Sequence, residues 1–254
     1  MNDRERGFLL LTSHLGDPER KVLTAAQLRA LALRVRERRP EAEGRELTEK
    51  DLTELDYSEE AARQIVTLLS QEPLLDDYLA RGEAWGCVPL TRVSPGYPLL
   101  LRQRLGLDSP GCLWAKGDLS ILNTPTLSLV GSRELREPNR AFARRVGELA
   151  AERGITLVSG NARGADREAQ DACRKAGGRV ISIVADSLDK YPERNRLFLS
   201  EEDFDEPFSA QRALSRNRCI HALGTMVLVA QADLHKGGTW SGTVKNLRFG
   251  VQLY

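Results

Sequence analysis

The sequence predicts an α/β fold: a Rossmann-like parallel sheet domain preceded by a small all-helical N-terminal domain. Three patterns predict it. From Pro125 onward, short apolar runs alternate with stretches of about a dozen residues whose apolar positions recur at helical spacing, the pattern of strands joined by crossover helices. Before residue 85 only the helical spacing occurs. Between the two, Pro89, Pro95-Gly96-Tyr97-Pro98, Pro110-Gly111 and Gly117 punctuate the chain and predict a connecting segment packed on the second domain. The expected divisions are 1–85, 86–123 and 124–254.

In the first division, Thr24 with Gln27 and Thr48 with Asp51 have the spacing of capping boxes, and Ser58 opens a third helix. Leu28, Leu31, Ala32 and Val35 share one face behind Thr24, and Ala62, Ile65, Val66 and Leu69 share one behind Ser58. Pro40 to Gly44 reads as a loop. One apolar stripe per helix means that the helices pack on one another, as in a structural or interaction module.

In the third division, strands are expected at Leu127–Val130, Ile155–Val158, Arg179–Val184 and Met226–Ala230. Helices are expected at Asn139–Glu152, Gly164–Ala176 and around Val244. Ligands of such sheets bind at the carboxyl ends of the strands, so the loops that leave those ends are the candidate site.

Four loops qualify. Gly131-Ser132-Arg133 follows the first strand and leads to a helix, where unpaired N–H groups and the helix dipole favour an anion. Ser159-Gly160-Asn161-Ala162-Arg163-Gly164-Ala165-Asp166 follows the second, with Arg163 supplying charge and Asp166 fixing the loop or a sugar hydroxyl. Ser215 is expected to cap a helix whose first turn holds Arg216, Asn217 and Arg218, two arginines that diverge by about 200°. Lys236-Gly237-Gly238-Thr239 opens a glycine loop after the fourth strand.

Composition narrows the chemistry. Charged residues make up 29% and hydrophobic ones 41% of 254 residues, and no apolar run approaches a membrane span, so a cytoplasmic globular protein is expected. Cys87, Cys112, Cys173 and Cys219 have no metal-ligand or disulfide spacing, and only three histidines are present, so no metal, cofactor or catalytic residue is expected. Five acids crowd into Glu201, Glu202, Asp203, Asp205 and Glu206. The rest of the second half is distinctly basic, which fits a polyanion partner.

These motifs resemble the DprA (Smf) DNA-processing family. Gly131-Ser132-Arg133, Ser159-Gly160-x-Ala162-x-Gly164-x-Asp166, Tyr191-Pro192-x-x-Asn195 and Arg216-Asn217-Arg218-x-Ile220 follow its order and spacing. Upstream, Tyr97-Pro98-Leu99 and Leu113-Trp114-x-Lys116-Gly117 are similar to the segment before its core, so the likeness runs from about residue 95 to 250. It implies a Rossmann-like domain that binds single-stranded DNA in a basic pocket, forms a homodimer and hands the strand to the RecA recombinase during natural transformation. By position it implies phosphate contacts at Arg133, Arg163, Lys190 or Arg194, Arg216 and Arg218, over a floor of Gly131, Ser132, Ser159, Gly160 and Gly164. Arg133 and Arg216 are both expected to serve binding without being needed for folding.

The chain departs from the family at Ala165, Gln170 and Gln231, where Ile, His and Glu are usual, and at Gly237-Gly238-Thr239-Trp240. A C-terminal winged helix is expected to be missing. Two alternatives use the same pocket: a nucleotide-binding sensor, and a nucleoside-monophosphate phosphoribohydrolase of the lysine-decarboxylase-like group. The second would need a carboxylate such as Asp166 near the sugar.

Overall fold

The computed structural model describes residues 1–38, 46–192 and 196–247, and the backbone of residues 252 and 253. It divides into two compact units, Met1–Glu83 with Val93–Pro95, and Ala84–Arg92 with Gly96–Tyr254.

The first unit is helical: α1 (Asp3–Thr12), α2 (Ala25–Arg38), α3 (Glu49–Glu54), α4 (Glu59–Leu69) and α5 (Glu72–Ala84). Its helix starts are fixed by local polar chemistry. Asn2 and Glu5 cap α1 reciprocally, Thr48 and Asp51 do the same for α3, and Ser58 Oγ accepts the Ala61 N–H at 3.2 Å. Behind these caps Leu11, Leu23, Leu31, Leu52, Ala62, Ile65 and Leu68 form a common core. The expected loop at 40–44 lies outside the described residues.

The second unit is a Rossmann-like α/β domain. Its strands are β1 (Cys87–Thr91), β2 (Cys112–Gly117), β3 (Thr126–Val130), β4 (Thr156–Ser159), β5 (Val180–Ile183), β6 (Arg196–Ser200), β7 (Met226–Val229) and β8 (Gln252–Leu253). Its helices are α6 (Leu99–Leu105), α7 (Glu137–Glu152), α8 (Ala165–Lys175), α9 (Ala210–Ser215), α10 (Asn217–Leu223) and α11 (Gly237–Asn246). The strands form one sheet in the order β1-β2-β6-β5-β4-β3-β7-β8. From β6 to β8 all neighbours are parallel, and β2 joins β6 antiparallel.

Residues 86–123 correct the sequence reading. The expected connecting segment supplies two strands of the sheet, with Trp114 opposite Ser200 and Pro89 opposite Trp114. Pro89 is tolerated because β1 is an edge strand, where a missing N–H breaks no outer ladder. β6 is also absent from the sequence reading. Its apolar run is only Leu197, Phe198 and Leu199, too short to mark a strand apart from a buried helix segment.

Alternation does sort the parallel strands onto two faces. Leu129, Leu157 and Val180 pack with Ala143 and Val146 of α7 and Ala169 and Cys173 of α8. Their neighbours Val130, Val158 and Ile181 pack on the other face with Leu101 and Leu105 of α6 and Ile220 and Leu223 of α10. The order in which strands are added reverses at β3, which lies between β4 and the later strand β7. That juxtaposition opens a crevice at the carboxyl ends of β3 and β7.

One arginine fixes the C-terminal end of α10 in this layer. The Arg104 guanidinium of α6 donates to the carbonyls of Ala222 (3.1 Å), Gly224 and Thr225 (3.1 Å), groups that a helix end leaves unpaired. Arg104→Ala should lower unfolding stability by about 1–3 kcal/mol, the range for hydrogen bonds from a charged donor. Urea denaturation would read this as a lower midpoint with an unchanged slope, and an unmoved midpoint would show that the cap contributes nothing.

Candidate nucleic-acid interface

The loops after β3, β4 and β7 meet at one rim of the sheet and are locked to one another by backbone contacts. Ser132 N–H donates to Gln231 O at 2.9 Å, and Ala165 N–H donates to Ser132 O at 3.1 Å. Gly164 has φ +88°, and a Cβ there would stand 2.4 Å from Ser132 O, so only glycine lets the two loops approach this closely. Gln231 then pins the chain that leads into α7. Its Oε1 accepts from Arg136 N–H at 3.0 Å and Asn139 Nδ2 at 2.8 Å, and its Nε2 donates to Glu134 O at 3.0 Å. An acid in its place could accept both bonds but could not donate the third.

Beneath the β4 loop lie a buried carboxylate and a buried guanidinium that act on each other through their charges. Asp166 Oδ2 accepts from Gly160 N–H at 3.1 Å and Ala162 N–H at 3.2 Å, which shapes the loop around the carboxylate. Burial pushes the Asp166 carboxyl above its ordinary value, against the Arg216 charge and these N–H donors. Arg216 is only 6% exposed; its Nη1 donates to Ile183 O, and burial pulls its guanidinium below its ordinary value while Asp166 opposes the shift. The guanidinium lies against Gly160, where a Cβ would stand 1.9 Å from Nη1. Ser159 is also buried and donates to Leu129 O at 2.7 Å, tying β4 to β3.

Around this pair the exposed cations line two recesses of about 300 Å³ and 790 Å³ that share Arg133, Arg163 and Arg216. The larger also takes in Gly131, Ser132, Arg136, Asn217, Lys236, Gly237, Gly238 and Thr239. Among the described residues Arg133, Arg136 and Lys236 have no acidic partner, and Arg163 stands 3.6 Å from the exposed Glu134. The residues before α7 and α11 make no side-chain capping bond, so these two helix N-termini keep amide donors for a ligand, whereas α8 already spends those of Ala165 and Arg167 on Ser132 O and Ala162 O.

Several expected site residues lie elsewhere or act differently. Arg218 is committed to Glu201 at 2.5 Å, to Ser215 O and Oγ at 2.9 and 2.8 Å, and to Asp108 O at 3.0 Å, and it lines neither recess. Lys190 is paired with Asp186 at 2.7 Å. Ser215 ends α9 rather than capping the next helix, and Arg216 is the joint between α9 and α10. Gly237, Gly238 and Thr239 form the first turn of α11 instead of a loop, since Lys236 is already its N-cap. Arg194 and Asn195 lie outside the described residues. The sequence reading missed Arg136 and the pinning role of Gln231. The only textual signal for either is its place, just before a helix or just past a strand end.

Comparison with known proteins bears on the family and the fold. A family model described as DNA recombination-mediator protein A matches residues 89–247. Protein Smf of Escherichia coli is 34% identical over 142 residues, covering 51% of this chain and 38% of Smf. DNA processing protein DprA of Streptococcus pneumoniae is 32% identical over 141 residues, covering 51% of this chain and 50% of DprA. The chain thus spans half or less of these relatives' lengths. The solved structure of the S. pneumoniae protein superposes with a TM-score of 0.67 at 23% identity, over 91% of this chain and 86% of the other. A structure of DNA processing protein A from Helicobacter pylori, concerned with its single-stranded DNA binding mode, superposes at 0.56 with 27% identity over 66% and 79%.

The burial of Arg216 reverses the expectation that it serves binding alone. Arg216→Met removes the bond to Ile183 O and the buried positive charge that favours the Asp166 carboxylate, and should cost about 1–3 kcal/mol of stability. The Asp166 carboxyl then climbs further above its ordinary value, so the folded chain retains a proton that the unfolded chain has released. That contribution is fully present below about pH 4 and is lost as pH rises through the folded value. Urea midpoints at pH 5 and pH 7.5 should therefore show a larger deficit for the variant at pH 7.5. A deficit independent of pH would separate Asp166 from Arg216.

Proposed function

The chain belongs to the DNA recombination-mediator protein A family, and on that premise we propose that it binds single-stranded DNA as a DNA-processing protein of the DprA (Smf) type. The observation that carries this reading is the convergence of Arg133, Arg136, Arg163 and Lys236 on recesses at one sheet rim. A phosphate chain laid there meets exposed guanidinium groups and helix N-termini. Release of its counterions then supplies affinity that falls with salt. Gln231 and the buried Asp166–Arg216 pair hold the loops in place, so little ordering remains to be done on binding.

The proposal covers DNA uptake in natural transformation, hand-over of the strand to the RecA recombinase, a homodimer and a cytoplasmic site. These parts rest on the family resemblance. Among the described residues no helix is long and apolar enough to cross a membrane. The chain is proposed to bind rather than to turn over its ligand. Asp166, the carboxylate that nucleotide hydrolysis would need, is buried and has one oxygen committed to two backbone N–H groups.

Fluorescence anisotropy with a labelled oligothymidylate across a salt series tests the reading. Each of Arg133→Ala, Arg163→Ala and Lys236→Ala should weaken binding and flatten the slope of log K against log salt by about 0.7, the value for one phosphate of a single strand. Lys190→Ala should leave the slope unchanged because that ammonium is already paired. A triple variant with the wild-type slope would place the DNA elsewhere. Turnover of a nucleoside monophosphate by the purified protein would favour the hydrolase instead.

A further inference from the structure

The smaller recess has an apolar side that the phosphate reading does not use. Phe208 lines it together with Arg133, Arg163, Tyr191 and Ala213, and with 55% of its surface exposed it is the most exposed phenylalanine among the described residues. In the larger recess Leu214, 56% exposed, and Ala210 continue this surface along α9. A phenylalanine standing in water beside arginines gains nothing for the fold. Its ring is available to whatever enters between them.

The ring is also presented from a fixed backbone. Phe204, four residues earlier, is fully buried, with ring centroids 5.2 Å from Trp85 and 4.7 Å from Trp114. Leu188 N–H donates to Phe204 O at 2.8 Å, and Arg212 Nη1 donates to Pro207 O at 2.8 Å while its guanidinium pairs with Glu206 at 2.6 Å. Across the recess Tyr191 is held by stacking on Phe198 at 4.7 Å and 19°. The recess therefore offers cations from the loops after β3 and β4 and aromatic and aliphatic surface from the chain after β6.

A single strand has the same two-sided chemistry, with charge along its backbone and apolar faces on its unpaired bases. Resting on the single-strand reading above, we infer that Phe208 is a base-stacking platform and that α9 behind it is the wall on which unpaired bases lie. The cations of the rim can hold any phosphate chain, but Phe208 needs the open face of a base, which a duplex keeps covered. This assigns to Phe208 the preference for single over double strands, and to Arg133 and Arg163 the salt-dependent part of affinity.

Anisotropy with three probes of equal length separates these roles: an oligothymidylate, an abasic deoxyribose-phosphate strand and a duplex. Phe208→Ala should weaken the oligothymidylate about tenfold, within the range for one stacked base, and leave the abasic strand, the duplex and the salt slope within about twofold. Phe208→Trp should restore affinity and show quenched indole emission on binding, while Phe208→Leu should fall between. Equal losses on the thymidylate and abasic strands would mean that Phe208 only shapes the loop and would overturn the inference. So would wild-type affinity in Phe208→Ala with the effect of Arg133→Ala intact, an outcome that leaves the phosphate reading standing. If the wild-type chain shows no salt-dependent affinity for any probe, the site reading falls and the stacking role with it.

Discussion

The candidate site depends on a carboxylate and a guanidinium buried together beneath the β4 loop, Asp166 and Arg216. Both are almost fully removed from water, a state that costs each ion several kcal/mol unless it is compensated. Compensation comes from the β4 loop itself, whose Gly160 and Ala162 N–H groups point at the carboxylate, and from the Ile183 carbonyl, which accepts from the guanidinium. The loop can hardly change shape without stranding a charge. Gly160 follows from the same constraint, because any side chain would collide with the guanidinium it covers.

This divides the basic residues into two populations. Arg216, Arg218, Arg104 and Arg212 spend their donors on carbonyls and carboxylates of the fold. Arg133, Arg136 and Lys236 keep theirs in solvent, with Arg163 only loosely engaged at 3.6 Å. Only the second population can exchange water for phosphate without breaking a protein contact. The acidic run at 201–206 belongs with the first, since Glu201 and Glu206 hold Arg218 and Arg212. Those two carboxylates are answered within their own neighbourhood and not at the rim.

Much of the fold is legible in the chain because its central parallel strands, buried on both faces, read as short apolar runs and its helices carry one apolar stripe. Leu127 to Val130 and the helix behind it announce themselves in this way. The limits are equally physical. β2 lies amid Pro and Gly punctuation, β6 has only three consecutive apolar residues, and Pro89 disguises an edge strand as a turn. The positions of Arg133, Arg163 and Asp166 at the site follow from loop spacing alone. The different fates of Arg216 and Arg218 do not, for they are two residues apart in one basic triplet. Arg216 turns inward to the Ile183 carbonyl, 33 residues earlier in the chain, and Arg218 turns to Glu201. Gln231 carries the same lesson, because a substitution that reads as a lost acid becomes a three-bond clasp once β7 lies beside β3.

The shared walls of the recesses argue for an extended ligand. Arg133 and Arg163 line both the smaller and the larger recess, and they also border a third hollow between α7 and α8. A mononucleotide would occupy one recess and leave the other cations of the rim unused. A strand running past Arg133 and Arg163 places successive phosphates against cations that belong to adjoining recesses, and counterion release accumulates with each. Phe208 and Leu214 follow the same course on the apolar side, at the smaller and the larger recess respectively. Charge beside an apolar contact in each of two adjoining recesses is what the proposed strand, with its charged backbone and apolar bases, would require.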